Sequence, residues 1–111
     1  MSTVFGKIIR KEIPADIVYE DDFVMAIKDR YPTAPIHILI LPKKEMKNLQ
    51  AMAKEDLHLM GHIVVVAQNL AKEYKIEDNY RFLTNNGEKA GQSIWHLHFH
   101  LIGGKELGSI A

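Results

Sequence analysis

The sequence contains no cysteine, which excludes disulfides and thiolate metal sites as supports for its fold or its chemistry. It also lacks a charge surplus, because 14 basic side chains balance 14 acidic ones. Proteins that grip long nucleic acid usually carry a basic excess to displace counterions, so no long nucleic acid is expected as a partner, while a single nucleotide stays open. No apolar run approaches the roughly 18 residues of a membrane span, and the first residues, Met1 to Lys7, hold no signal-peptide core. No membrane partner is therefore expected, and a cytoplasmic address is. At 111 residues one domain, 1–111, is expected, with no linker.

What is present divides into short elements. Residues 3–10 suit a short helix presenting Val4, Phe5, Ile8 and Ile9, closed off by Pro14. Residues 17–19 and 23–27 are β-branched or aromatic runs separated by Glu20, Asp21 and Asp22, the pattern of an antiparallel hairpin. A third strand is expected over 36–41, stopped by Pro42, with a fourth over 80–84 and a fifth over 96–102. One long helix is expected over 54–75, where Leu57, Met60, Val64, Ala67, Ala71 and Tyr74 recur at helical spacing. Glu55 and Asp56 stand at its start and Lys72 and Lys75 at its end, each sign matched to the helix dipole. Residues 63–67 are apolar all the way round, which calls for a second buried face and points to another subunit. His58 and His62, on this helix, read as surface or interface residues. The expected fold class is α+β: a five-stranded antiparallel sheet with one long helix on one face and a short N-terminal helix.

The most unusual stretch is the last strand, where His96, His98 and His100 alternate with Leu97, Phe99 and Leu101. In a strand, alternate side chains share a face, so the three imidazoles line one side about 7 Å apart at Cα. Three readings fit. They are polar residues tolerated by the fold, although several buried rings each need partners; or they chelate a metal, as His-x-His pairs on strands can; or they act as nucleophile and acid-base groups on a phosphoryl centre. The third is favoured by the preceding turn, residues 87–93, where Gly87 and Gly91 flank backbone N–H groups and Ser93 supplies a hydroxyl suited to an anion. Histidine suits that work, since its ordinary pKa near 6.5 allows a neutral nucleophile beside a hydrogen-bond donor at one pH.

The run from Gly91 through His96, His98 and His100 to Gly104 resembles the signature of the histidine-triad superfamily, His-φ-His-φ-His-φ-φ with φ apolar. Phe5 to Pro14, Tyr19 to Asp22, Asp29, Ala34 to His37 and Pro42 to Lys44 are similar to the histidine triad nucleotide-binding branch. That resemblance implies a purine nucleoside phosphoramidase, cleaving the P–N bond of AMP or GMP derivatives such as AMP-lysine or aminoacyl adenylates. It implies no cofactor and no metal, and a homodimer whose sheets join into one of ten strands. His98 would attack the α-phosphorus, with its other ring nitrogen on the His96 carbonyl. His100 would donate to a phosphate oxygen, His96 and His37 would support the network, and Ser93 would help protonate the departing amine. Gln92 and Asn85 would hold the nucleotide, Asp29 the ribose hydroxyls, and Val4, Phe5, Ile8, Ile27 and Leu39 the base. Arg30 stands where the family usually has an apolar residue beside the base, and the tail after Gly104 is shorter than in some relatives. Other branches imply a dinucleoside polyphosphate hydrolase, and a non-catalytic AMP-binding interaction module is the reading from a different class.

Overall fold

The computed structural model describes residues 3–110, so positions 1, 2 and 111 of the expected domain lie outside the described residues. Helix α1 spans Val4–Ile9, and Thr3 caps it by accepting from the Gly6 N–H at 3.0 Å. Strands β1 (Ile17–Glu20), β2 (Val24–Lys28) and β3 (Ile36–Pro42) follow, then helix α2 (His58–Glu73), β4 (Tyr80–Leu83) and β5 (Phe99–Gly103). They form the expected α+β arrangement, a five-stranded sheet in the order β1-β2-β3-β5-β4 with every neighbouring pair antiparallel.

Two expected boundaries move for identifiable reasons. The expected helix over 54–75 is a 3-10 turn, Lys54–Asp56, followed by α2. The Leu57 N–H reaches the Lys54 carbonyl at 3.1 Å and the Met60 N–H the Leu57 carbonyl at 3.0 Å, so three-residue spacing holds through the joint. The expected fifth strand, 96–102, pairs only from Phe99, because β3 ends at Pro42, which has no N–H to extend the ladder. The Leu97 N–H instead donates to the Met46 carbonyl at 2.7 Å.

Helix α2 lies on one face of the sheet and buries Leu59, Ile63, Val66, Ala67, Leu70 and Ala71 against Leu97, Phe99 and Leu101. That stripe is rotated from the one read in the sequence. Leu57 and Val64 are exposed, and the reason is the apolar run at 63–67, which lets several stripes satisfy helical spacing until the sheet selects one. The other face carries a second cluster, in which Phe5 and Ile8 of α1 cover Met25, Ile27, Leu39 and Leu41. Both helices stop without glycine. Lys11 (φ 63°) and Lys75 (φ 60°) take the left-handed conformation, and the Ile76 N–H closes back on the Ala71 carbonyl at 2.8 Å.

Candidate active site

Register brings the imidazoles together. Leu39 lies opposite His100 on β5 and opposite Ile27 on β2, so His37 and Leu39 of β3, Ile27 and His100 share the face covered by α1. His37 Nε2 is 2.9 Å from His100 Nδ1. The His98 and His100 rings are 5.2 Å apart, and the Phe5 ring stands edge-on to His98 at 4.9 Å. His96, His98 and His100 therefore occupy one face, as alternation requires, although His96 and His98 precede the paired strand.

The backbone assigns a tautomer to each ring. Nδ1–H of His98 donates to the His96 carbonyl at 2.8 Å, which leaves the lone pair on Nε2. Nε2–H of His96 donates to the Pro42 carbonyl at 2.7 Å, making use of the same proline that ends the ladder. The Thr33 N–H donates to His37 Nδ1 at 3.1 Å, so the one proton of neutral His37 sits on Nε2, facing His100. His100 Nδ1 accepts it, and its own proton then sits on Nε2 as an available donor. His96 Nδ1 is the buried side-chain nitrogen without a partner among the described residues, whereas His98 Nε2 carries no hydrogen bond and keeps access to the surface.

Electrostatics hold all four rings neutral. Burial lowers the pKa of His37, His96 and His98 below the ordinary histidine value, each against a smaller opposing pull. For His37 the pull is the Asp29 carboxylate, and for His96 the Pro42 carbonyl. His100 is pushed down to about 4 by burial, reinforced by His98 and His37. At neutral pH the site thus presents an uncharged nitrogen lone pair beside an uncharged N–H donor.

The preceding loop is braced from beneath. Gln92 is 3% exposed; its Oε1 accepts from the Gly87 N–H at 2.9 Å and its Nε2 donates to the Lys47 and Ile94 carbonyls at 2.8 and 3.0 Å. Its amide is turned into the loop. Gly91 has φ 101°, a conformation that favours glycine; a Cβ there would make only an ordinary contact with the Asn85 amide at 3.5 Å, so it is the turn that calls for glycine. Asn85 is half-buried and Ser93 is exposed at the loop surface. Among the expected base-pocket residues, Phe5, Ile8, Ile27 and Leu39 form one cluster and are nearly sealed, while Val4 is exposed. Arg30 is exposed. His58 and His62 lie on α2, away from these rings; His62 Nε2 instead meets Asp21 Oδ2 at 2.6 Å.

Asp29 joins the rings directly. Its Oδ1 accepts from the Tyr31 N–H at 2.8 Å and its Oδ2 lies 3.2 Å from His37 Nε2. One ligand atom each from Asp29, His37 and His100 lies within 4.8 Å of the others, close enough to consider a cation. A metal on His37 Nε2, however, requires the proton on Nδ1, where the Thr33 N–H already points. His37 and His100 therefore fit a hydrogen-bonded pair, with the Asp29 carboxylate beside it, better than the trio fits a ligand set. Sequence reasoning missed Thr33, the Pro42 carbonyl and Thr84, whose hydroxyl donates to the His98 carbonyl at 2.6 Å. Backbone carbonyls and amides carry no side-chain signature, and one threonine at a strand end is too ordinary a residue to signal such a contact.

Comparison with known proteins is decisive on kinship. Residues 10–107 match the HIT domain family. The chain belongs to the HIT family. An uncharacterized HIT-like protein of Synechocystis sp. is 48% identical over 103 residues, covering 93% of this chain and 90% of the relative. A HIT family hydrolase from Clostridium thermocellum superposes with a TM-score of 0.93 at 41% identity, covering 98% of this chain and 96% of that one. A histidine triad nucleotide-binding protein from Candida albicans gives 0.81 at 30% identity, covering 99% and 86%. As a HIT protein the chain carries its triad at His96, His98 and His100. No helix among the described residues is long and apolar enough to cross a membrane.

Proposed function

We propose that this HIT protein is a purine nucleoside phosphoramidase that works through a nucleotidyl-His98 intermediate, with residues 1–111 acting as one histidine-triad domain. The observation that carries the reading is the His98 tautomer, because the bond from Nδ1–H to the His96 carbonyl leaves Nε2 as a free lone pair beside the His100 donor. His98 Nε2 attacks the α-phosphorus, the P–N bond breaks, and the electron pair leaves on the amine. Amines leave poorly without a proton, and Ser93 at the loop surface helps deliver one. Water then attacks phosphorus, the bond to Nε2 breaks, and the nucleoside monophosphate departs. His100 Nε2–H steadies the charge that builds on the phosphate oxygen, an effect of about 3 kcal/mol per well-aimed donor. Asn85 and the Gln92-braced loop flank the phosphate, Asp29 takes the ribose hydroxyls, and Val4 at the surface, with Phe5, Ile8, Ile27 and Leu39 packed behind it, forms the apolar side that meets the base.

The names of the solved relatives, a hydrolase and a nucleotide-binding protein, support both halves of this reading. Two copies are proposed to pair through α2 and the open edge of β4, since Leu57, Val64 and Val65 are exposed and β4 ends the sheet. Sedimentation of wild type and Val64→Asp tests the pairing, with a dimer expected for the first and a shift toward monomer for the second. The reaction is tested by hydrolysis of adenosine 5′-phosphoramidate beside diadenosine polyphosphates. Preferential amine release, lost in His98→Ala, is expected. Unchanged turnover in His98→Ala sinks the proposal.

A further inference from the structure

His98 is mounted on backbone that the sheet itself does not hold. Pairing of β3 with β5 ends at Ile40 opposite Phe99, and pairing of β4 with β5 ends at Leu83 opposite His100, so His98 lies beyond both ladders. Other bonds take over there. On the β3 side the Leu97 N–H donates to the Met46 carbonyl and His96 Nε2–H to the Pro42 carbonyl, each at 2.7 Å. On the β4 side a side chain makes the bond: the Thr84 hydroxyl donates to the His98 carbonyl at 2.6 Å. Thr84 follows directly on β4 and is half-buried, and its branched Cβ restricts χ1, which keeps the hydroxyl aimed.

That carbonyl belongs to the same residue as the attacking nitrogen. In-line attack needs exact placement, and a shift of about 1 Å costs on the order of 100-fold in rate. The bond from His98 Nδ1–H to the His96 carbonyl, 2.8 Å long, spans only two residues. It fixes the ring within the segment and leaves the segment free against β4. We propose that Thr84 is a positioning residue for the reaction: its hydroxyl clamps the His98 backbone to the end of β4 and so sets the line along which His98 Nε2 approaches phosphorus. This rests on the phosphoramidase reading and deepens it. The clamp also joins two parts that must keep a fixed separation, because the next residue, Asn85, stands against Gly91 of the loop that flanks the phosphate. Thr84 acts through His98 and does not itself meet the reacting atoms. A valine would fill the same space and leave the carbonyl without this donor.

The test compares wild type with Thr84→Val, which keeps the shape and removes the donor, and Thr84→Ser, which keeps the donor. First-turnover release of amine from adenosine 5′-phosphoramidate should slow about tenfold in Thr84→Val, the scale of one lost hydrogen bond, with the half-saturating concentration unchanged. Thr84→Ser should stay within about threefold of wild type, its hydroxyl being less firmly aimed. A wild-type rate in Thr84→Val, an equal loss in Thr84→Ser, or a change confined to the half-saturating concentration overturns the assignment. Thr84→Ala serves the same comparison should valine disturb the fold. A second readout needs no turnover: exchange of the ring N–H protons with water, followed by NMR. The His98 Nδ1 proton should exchange faster in Thr84→Val and recover in Thr84→Ser, while the His96 Nε2 proton, held by Pro42 on the other side, keeps its wild-type rate. Unchanged exchange at His98 overturns the clamp. Should wild type release no amine from any phosphoramidate, it is the assigned reaction that fails, and the ring protons still decide whether Thr84 positions His98.

Discussion

The two faces of the segment ending in β5 are built from neighbouring residues and behave oppositely. On one, Leu97, Phe99 and Leu101 disappear under α2, and Phe99 stacks on Phe82 with ring centroids 5.3 Å apart. On the other, His96 and His98 are buried and His100 is half-buried, yet each ring is fixed by a directed bond to a carbonyl or to another imidazole. Apolar packing is non-directional and tolerates some shift, whereas the imidazole face depends on which nitrogen holds each proton. The first face supplies stability, and the second spends some of it to hold neutral rings away from water.

That contrast is broken most severely by exchanging the readouts. His98→Ala should cut phosphoramidase kcat by about 10⁴-fold or more while leaving the urea midpoint close to wild type, the behaviour of a lost nucleophile. Ile63→Ala, on the α2 face, should lower stability by about 2–5 kcal/mol and leave kcat of the folded fraction nearly unchanged. Urea melts and initial rates on the same preparations check both. Matching losses in both quantities for either variant would erase the division between faces.

A third prediction concerns pH. His37, His96, His98 and His100 all have folded pKa values below the ordinary one, that of His100 at about 4. Above about pH 6.5 both folded and unfolded chains leave them neutral and they contribute no slope. As pH falls through that value the unfolded chain gains protons that the folded one refuses, so stability falls, and the loss levels off below the folded pKa. Urea melts from pH 7.5 to 4.5 should show the decline, and it should shrink in His100→Gln. The acid limb of kcat should likewise lie below the ordinary histidine value, since attack needs neutral His98, whose burial lowers its pKa. A kcat limb at the ordinary histidine value would mean that the rings are not shielded.

How much of this was legible before the structure depends on the face. Alternation placed the three histidines together and the leucines and Phe99 opposite them, and the α+β layout followed from strand runs and one long apolar period. The α2 stripe was misread because residues 63–67 offer several, and only the sheet decides among them. On the imidazole face, residue types named the participants, but Gln92 turned inward as a brace, and tautomers came from Thr33, Pro42 and the His96 carbonyl, which no side-chain pattern reports. The smallest expected effect lies in such a backbone detail. Lys75→Gly should raise stability by about 1 kcal/mol, because Lys75 holds a left-handed conformation that glycine adopts without strain. A urea melt showing no gain or a loss would mean that the lysine side chain offsets the strain.

The most direct test of the central claim is rapid-quench mass spectrometry of wild type mixed with adenosine 5′-phosphoramidate. Within the first turnover the account predicts one adenylyl group bound to the peptide that contains His98, located on that ring by fragmentation and absent from His98→Ala. An adduct on another residue, or full-rate turnover with no adduct at any quench time, would contradict it.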